Sequence, residues 1–106
     1  MKDKKLIGKK SILGTNYKYY FESNLKNESD ESLAGDCCPV EKEIRIDPKS
    51  NFNKTIIHET CHALLFESGI HDVTDGKIIE LICTNMEKLD DIFIIQFKKL
   101  RKTKDK

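Results

Sequence analysis

No stretch of this chain is apolar for long enough to cross a bilayer. Its longest apolar runs, residues 63–66 and 92–95, span four residues each, against the roughly 20 that a membrane helix needs. The amino terminus is basic (Lys2, Lys4, Lys5, Lys9, Lys10) but has no apolar segment or small-residue cleavage site behind it. No secretory peptide is therefore expected, and the expected location is cytoplasmic. The cysteines, Cys37, Cys38, Cys61 and Cys83, lack the paired Cys-x-x-Cys spacing of a four-thiolate zinc site. Without an export signal they read as reduced thiols. Nor is either charge in excess, with 19 Lys and Arg against 18 Asp and Glu. Six of the basic residues and one acid fall in residues 98–106, so the rest of the chain has a formal net charge of about −4. Such a body is not built to coat nucleic acid, and the basic tail at about 101–106 reads as a frayed, solvated end.

What is present suits a small folded protein. A chain of 106 residues with 38% hydrophobic content is long enough for one compact core and too short for two, so a single domain over 1–106 is expected. Residues 1–15 promise at most a short strand among glycines. Residues 17–23 alternate, with Tyr17, Tyr19 and Phe21 on one side and Lys18, Tyr20 and Glu22 on the other, as in a strand with one face on a core. Residues 33–37 and 42–47 can pair as an antiparallel hairpin, Ile44 and Ile46 pointing inward, before Pro48 stops the second strand. Asn51 or Asn53 can cap a helix running to Gly69. Thr74 or Asp75 can cap a second helix from near Lys77, with Ile79, Ile82, Met86 and Leu89 at helical spacing and continuation to about Leu100. The order, strands and then two helices, predicts an α+β domain: a short antiparallel or mixed sheet followed by two packed helices.

The chemistry lies in residues 58–62, His-Glu-Thr-Cys-His. A helix turns about 100° per residue, so His58 and His62 stand one above the other and can offer ring nitrogens to one ion. Glu59, one step round, flanks that position, where a carboxylate can accept a proton without ligating. The plainer alternative, two structural histidines on an apolar helix, requires partners for their buried nitrogens. A hydrolytic zinc site needs a third protein ligand. Glu80, early in the second helix and bordered by Ile79, Cys83 and Met86, is the leading choice, ahead of His71 and Asp75, with Asp72 and Glu87 more remote. Thr84, one turn after Glu80, is a candidate to hydrogen bond a ligand.

His58, Glu59 and His62 followed by Glu80 resemble the zincin metallopeptidases in their gluzincin arrangement, where a second helix contributes the third ligand. The small size, the hairpin ending at Ile46 and the run from Ala63 to Gly69 are similar to minimal phage and prophage metallopeptidase-like proteins, over roughly residues 33–90. Leu65 and Ser68 stand where metzincins place a glycine and a third histidine. The resemblance implies a zincin-like fold and one Zn2+ held by His58, His62 and Glu80. It also implies peptide-bond hydrolysis by a metal-activated water with Glu59 as general base. A peptide or protein substrate would bind as an extended strand along a free edge of the strand at 42–47. Larger gluzincins supply a transition-state donor from a further domain for which this chain has no room, leaving Tyr17, Tyr19, Tyr20 and His71 as local candidates. The competing expectation is a zinc-stabilised, phage-derived binding or regulatory module without catalysis.

Overall fold

The computed structural model describes residues 4–89. Strands β1 (Lys4–Ile12), β2 (Thr15–Glu22), β3 (Gly35–Cys38) and β4 (Glu43–Ile46) precede helices α1 (Phe52–Glu67) and α2 (Gly76–Met86). The α+β order of a sheet followed by two packed helices is the observed one. The second helix, expected to run on without a break, ends at Met86 and passes into a 3-10 turn at Glu87–Leu89; the residues toward Leu100 and the basic tail lie outside the described residues.

The amino-terminal region is more regular than its sequence suggests. β1 is nine residues long and pairs antiparallel with β2. A register shift between Leu6 and Gly8 breaks the strict alternation by which a strand is recognised, yet Ile7 and Ile12 both reach the core. The hairpin closes through Leu13 and Gly14, whose φ angles of 49° and 85° are those of a two-residue turn matched to strand twist.

After β2 the chain crosses to the far edge of the sheet. Asn27 orders this polar crossover, its Oδ1 accepting from the Ser29 and Glu31 amides. β3 then turns back into β4, which fills the gap, so the strand order is β1-β2-β4-β3 with β2 and β4 parallel. The expectation of a free edge on the strand at 42–47 is therefore corrected. β4 is hydrogen-bonded on both sides, and the outer strand next to the helices is β3.

One sheet face carries Tyr17, Tyr19, Phe21, Ile44 and Ile46, which pack with Phe52, Ile56, Ile57 and Ala63 of α1. The opposite side of α1 meets α2 through Cys61, Leu65, Ile79 and Cys83. α1 is thus the middle layer, buried on two sides. The buried tyrosines keep their hydroxyls paired: Tyr17 Oη donates to Glu67 Oε2 at 2.7 Å, and Tyr19 Oη shares a 2.7 Å hydrogen bond with Thr60 Oγ1. Asn51 caps α1 by accepting from the Lys54 amide, and Gly69, at φ 86°, lets the chain leave it. Asp75 caps α2 by accepting from the Lys77 amide at 2.7 Å. No helix among the described residues is long and apolar enough to cross a membrane.

Candidate metal centre

α1 sets His58 and His62 one turn apart, with ring centroids 5.1 Å apart. Because α2 returns against α1, its second turn crosses near them. Glu80 reaches back from it, placing Oε1 2.7 Å from His58 Nε2 and Oε2 2.9 Å from His62 Nε2. One carboxylate therefore spans two imidazoles, one oxygen to each ring. The histidines are half-buried and Glu80 lies at the rim, its side chain 57% exposed. Among the described residues, His58, His62 and Glu80 form a cluster that can hold a metal, one ligand atom from each lying within 4.8 Å of the others.

The donor set fits a divalent ion such as zinc. Imidazole nitrogens with a carboxylate suit that metal. Tetrahedral bonds of about 2.0–2.1 Å separate ligand atoms by roughly 3.4 Å, which falls between the observed carboxylate contacts and the outer spread of the cluster. Burial and the neighbouring His58 and His71 act to lower the His62 pKa, overcoming the opposing pull of Glu80. The ring thus tends toward the neutral form in which imidazole ligates.

Glu59 lies beside the cluster in a cleft of about 390 Å³ lined also by Gly35, Asp36, Cys37, His58, His62, His71 and Glu80. Burial first, and then the negative charges of Asp36, Glu80 and Glu87, push its carboxyl up to about 8. A carboxylate raised toward neutrality takes up and releases protons there more readily than an ordinary one; a cation at the cluster opposes the rise.

The other candidates are placed elsewhere. Asp75 spends its carboxylate on the α2 cap. His71 lines the cleft, its ring 5.8 Å from that of His62, but stands outside the cluster. Glu87 Oε2 stands 3.8 Å from His58 Nδ1, beyond hydrogen-bond reach. Glu87, a more remote third-ligand candidate, follows α2 in a short 3-10 turn, Glu87–Leu89, and stands outside the cluster.

Two further site residues carry no sequence signal. Asp36 adds negative charge near Glu59 while its Oδ2 accepts from Arg45 at 2.7 Å. Gly35 allows the edge strand to lie against α1: a Cβ there would meet Thr55 Cγ2 at 2.5 Å, Glu59 Cγ at 3.0 Å and the Arg45 carbonyl at 3.1 Å. Both depend on packing of β3 against α1, a contact between segments some twenty residues apart.

A mixed four-stranded sheet, two packed helices and a His-His-Glu cluster between the helices define a candidate metal-binding protein with a zincin-like site. Compared with protein-family models, curated proteins and solved structures, the chain matches none.

Proposed function

We propose that the chain is a zinc-dependent peptide hydrolase in which His58, His62 and Glu80 hold the metal and Glu59 is the general base. The observation that carries this reading is Glu80 joined to both histidines at 2.7 and 2.9 Å, with Glu59 in the same cleft. A bound zinc would act as a Lewis acid toward a carbonyl and lower the pKa of a water toward about 7. Glu59 accepts the proton of the attacking water and returns it to the departing amine, a shuttle favoured by a carboxylate whose pKa lies near neutrality. His58 and His62 stay fixed because both come from one rigid helix.

The substrate lies extended along β3, whose residues Gly35, Asp36 and Cys37 line the cleft. This outer strand has one edge unpaired among the described strands, so its backbone can take up a further strand. Gly35 keeps that strand close to Glu59.

The zinc-loaded protein should cleave members of a random peptide library, and a chelator should abolish cleavage. A protein that holds zinc firmly and cleaves none of the library would instead be the binding module, with the metal serving the fold alone.

A further inference from the structure

The register of the β3–β4 ladder decides what the outer strand offers. Asp47 N–H donates to the Ala34 carbonyl at 2.8 Å, so Ala34 and Asp47 form a hydrogen-bonded pair. Such pairs alternate along an antiparallel ladder, and the next ones are Asp36 with Arg45 and Cys38 with Glu43. The backbone groups of Gly35 and Cys37 therefore point away from β4, toward the unpaired edge. Both residues line the cleft that holds Glu59 and the His-His-Glu cluster. A peptide added antiparallel along this edge exchanges backbone hydrogen bonds with Gly35 and Cys37. The peptide residue between those two contacts then lies opposite Asp36 in a non-hydrogen-bonded pair, where Cα atoms stand about 4.5 Å apart and side chains come closest.

Asp36 meets that residue with an acidic side chain. Strand alternation sets the face: Gly35 and Cys37 turn toward α1 and the core, whereas Asp36 and Arg45 share the other face of the sheet. Asp36 Oδ2 accepts from the Arg45 guanidinium at 2.7 Å and from the Cys38 thiol at 3.7 Å, and the side chain is still 34% exposed. Arg45 does not cancel its charge, because Glu22 acts on the same guanidinium. Among the described residues no lysine or arginine lines the cleft, whereas Asp36, Glu59 and Glu80 do. The charge of one Zn2+ is offset by Glu59 and Glu80. Asp36 and Glu87, whose Oε2 is 3.8 Å from His58 Nδ1, then leave the cleft negative.

We propose that Asp36 selects peptides carrying lysine or arginine at the position opposite it on the β3 edge, so that the substrate class of this site is cationic peptides. This rests on the hydrolase reading of the same cleft, with the substrate extended along β3. The bound cation keeps to the outer face of the sheet beside Asp36, while the peptide residues on either side of it turn toward α1 and the metal cluster. A peptide with aspartate or glutamate at that position meets a like charge across the pair and binds more weakly. Asp36 touches the substrate but takes no part in bond making. Its effect is therefore on binding, and it appears in KM.

The test uses the full zinc-loaded chain and short fluorescein-labelled peptide libraries identical except for one fixed residue, Lys, Gln or Glu, with binding read by anisotropy and cleavage by mass spectrometry. Binding and kcat/KM should follow Lys over Gln over Glu, with about 10-fold between the ends of the series and kcat changed little. Raising the salt to about 1 M, where the Debye length is about 3 Å, should compress that range. Asp36→Asn should cut the Lys-to-Glu ratio to about 3-fold or less. On adding the Lys library, the Gly35 and Cys37 amides should gain protection from hydrogen exchange, whereas the Asp36 amide, already paired with β4, should change little. Should Asp36→Asn fail to fold, the salt dependence and amide protection of the parent decide. Equal binding of the Lys and Glu libraries by the parent, a range that salt leaves intact, an unchanged ratio in Asp36→Asn, or Gly35 and Cys37 amides that stay unprotected would each overturn the proposal. A parent that binds the Lys library selectively and cleaves none of it would retire the hydrolase reading while supporting Asp36 as the selector of an added strand.

Discussion

Gly35→Ala tests the packing that joins the edge strand β3 to α1. The added Cβ falls 2.5 Å from Thr55 Cγ2, 3.0 Å from Glu59 Cγ and 3.1 Å from the Arg45 carbonyl oxygen. None of the three yields freely. Thr55 is 7% exposed, and its hydroxyl donates to Ser50 Oγ at 3.0 Å, so rotating the methyl away gives up that bond. Arg45 is backbone within the β3–β4 ladder, in register with Asp36. Relief must come from β3 moving off α1 or from Glu59 shifting with its helix. Overpacking of this kind costs about 1–3 kcal/mol, and with the closest approach well inside van der Waals contact the upper half of that range, about 2–3 kcal/mol, is expected. A lower urea midpoint with an unchanged slope is the readout. The partner substitution Thr55→Ser removes Cγ2 and keeps the hydroxyl. In the double variant at least about 1 kcal/mol of the Gly35→Ala loss should return as coupling. If Glu59 is the proposed general base, displacing it should also slow hydrolysis by about 10- to 100-fold, the effect of misplacing a catalytic group by about 1 Å. Gly35→Ala unfolding within about 0.5 kcal/mol of the parent, or strict additivity with Thr55→Ser, would refute the reasoning.

Two regions away from the site give independent checks. Leu13, 62% exposed, holds a φ of 49° that asparagine tolerates better, so Leu13→Asn should raise stability by about 0.5–1 kcal/mol, seen as a higher melting temperature. Glu67 accepts hydrogen bonds from Lys42 and Tyr17, and these hold its carboxyl below its ordinary value of 4.5. Because the folded value is the lower one, the contribution is present above about 4.5 and disappears as pH falls through the folded pKa. The parent should therefore lose stability on acidification more steeply below pH 4.5 than Glu67→Gln, as urea midpoints across that range will show; parallel curves would remove Glu67 as a source of acid sensitivity.

The parts of the fold legible in the sequence are those set by local periodicity. The start of α1 at Asn51 and of α2 at Asp75 follow from short polar side chains ahead of apolar helical spacing. The convergence of Glu80 on His58 and His62 follows from two helices joined by a short connector, which must run back across each other. β1 stayed obscure because its bulge breaks alternation and lysines fill it, so Ile7 and Ile12 do not announce a strand. The parallel pairing of β2 with β4 requires a crossover that no neighbouring residues encode. That same non-local pairing moved the available edge from β4 to β3. It also placed Gly35 and Asp36 beside Glu59, which is why the sequence pattern left both out of the site.

If Glu59 acts in proton transfer while His58, His62 and Glu80 hold the metal, one comparison tests that division of labour most directly: bound zinc and peptide turnover measured together for the parent, Glu59→Gln and Glu80→Gln. Glu59→Gln should keep the parent's zinc stoichiometry and lose about a hundredfold or more of its turnover. Glu80→Gln should lose metal affinity and turnover together, because a neutral amide replaces the carboxylate that now spans both imidazoles. Full turnover in the Glu59 variant, or undiminished zinc affinity in the Glu80 variant, would contradict the assigned roles.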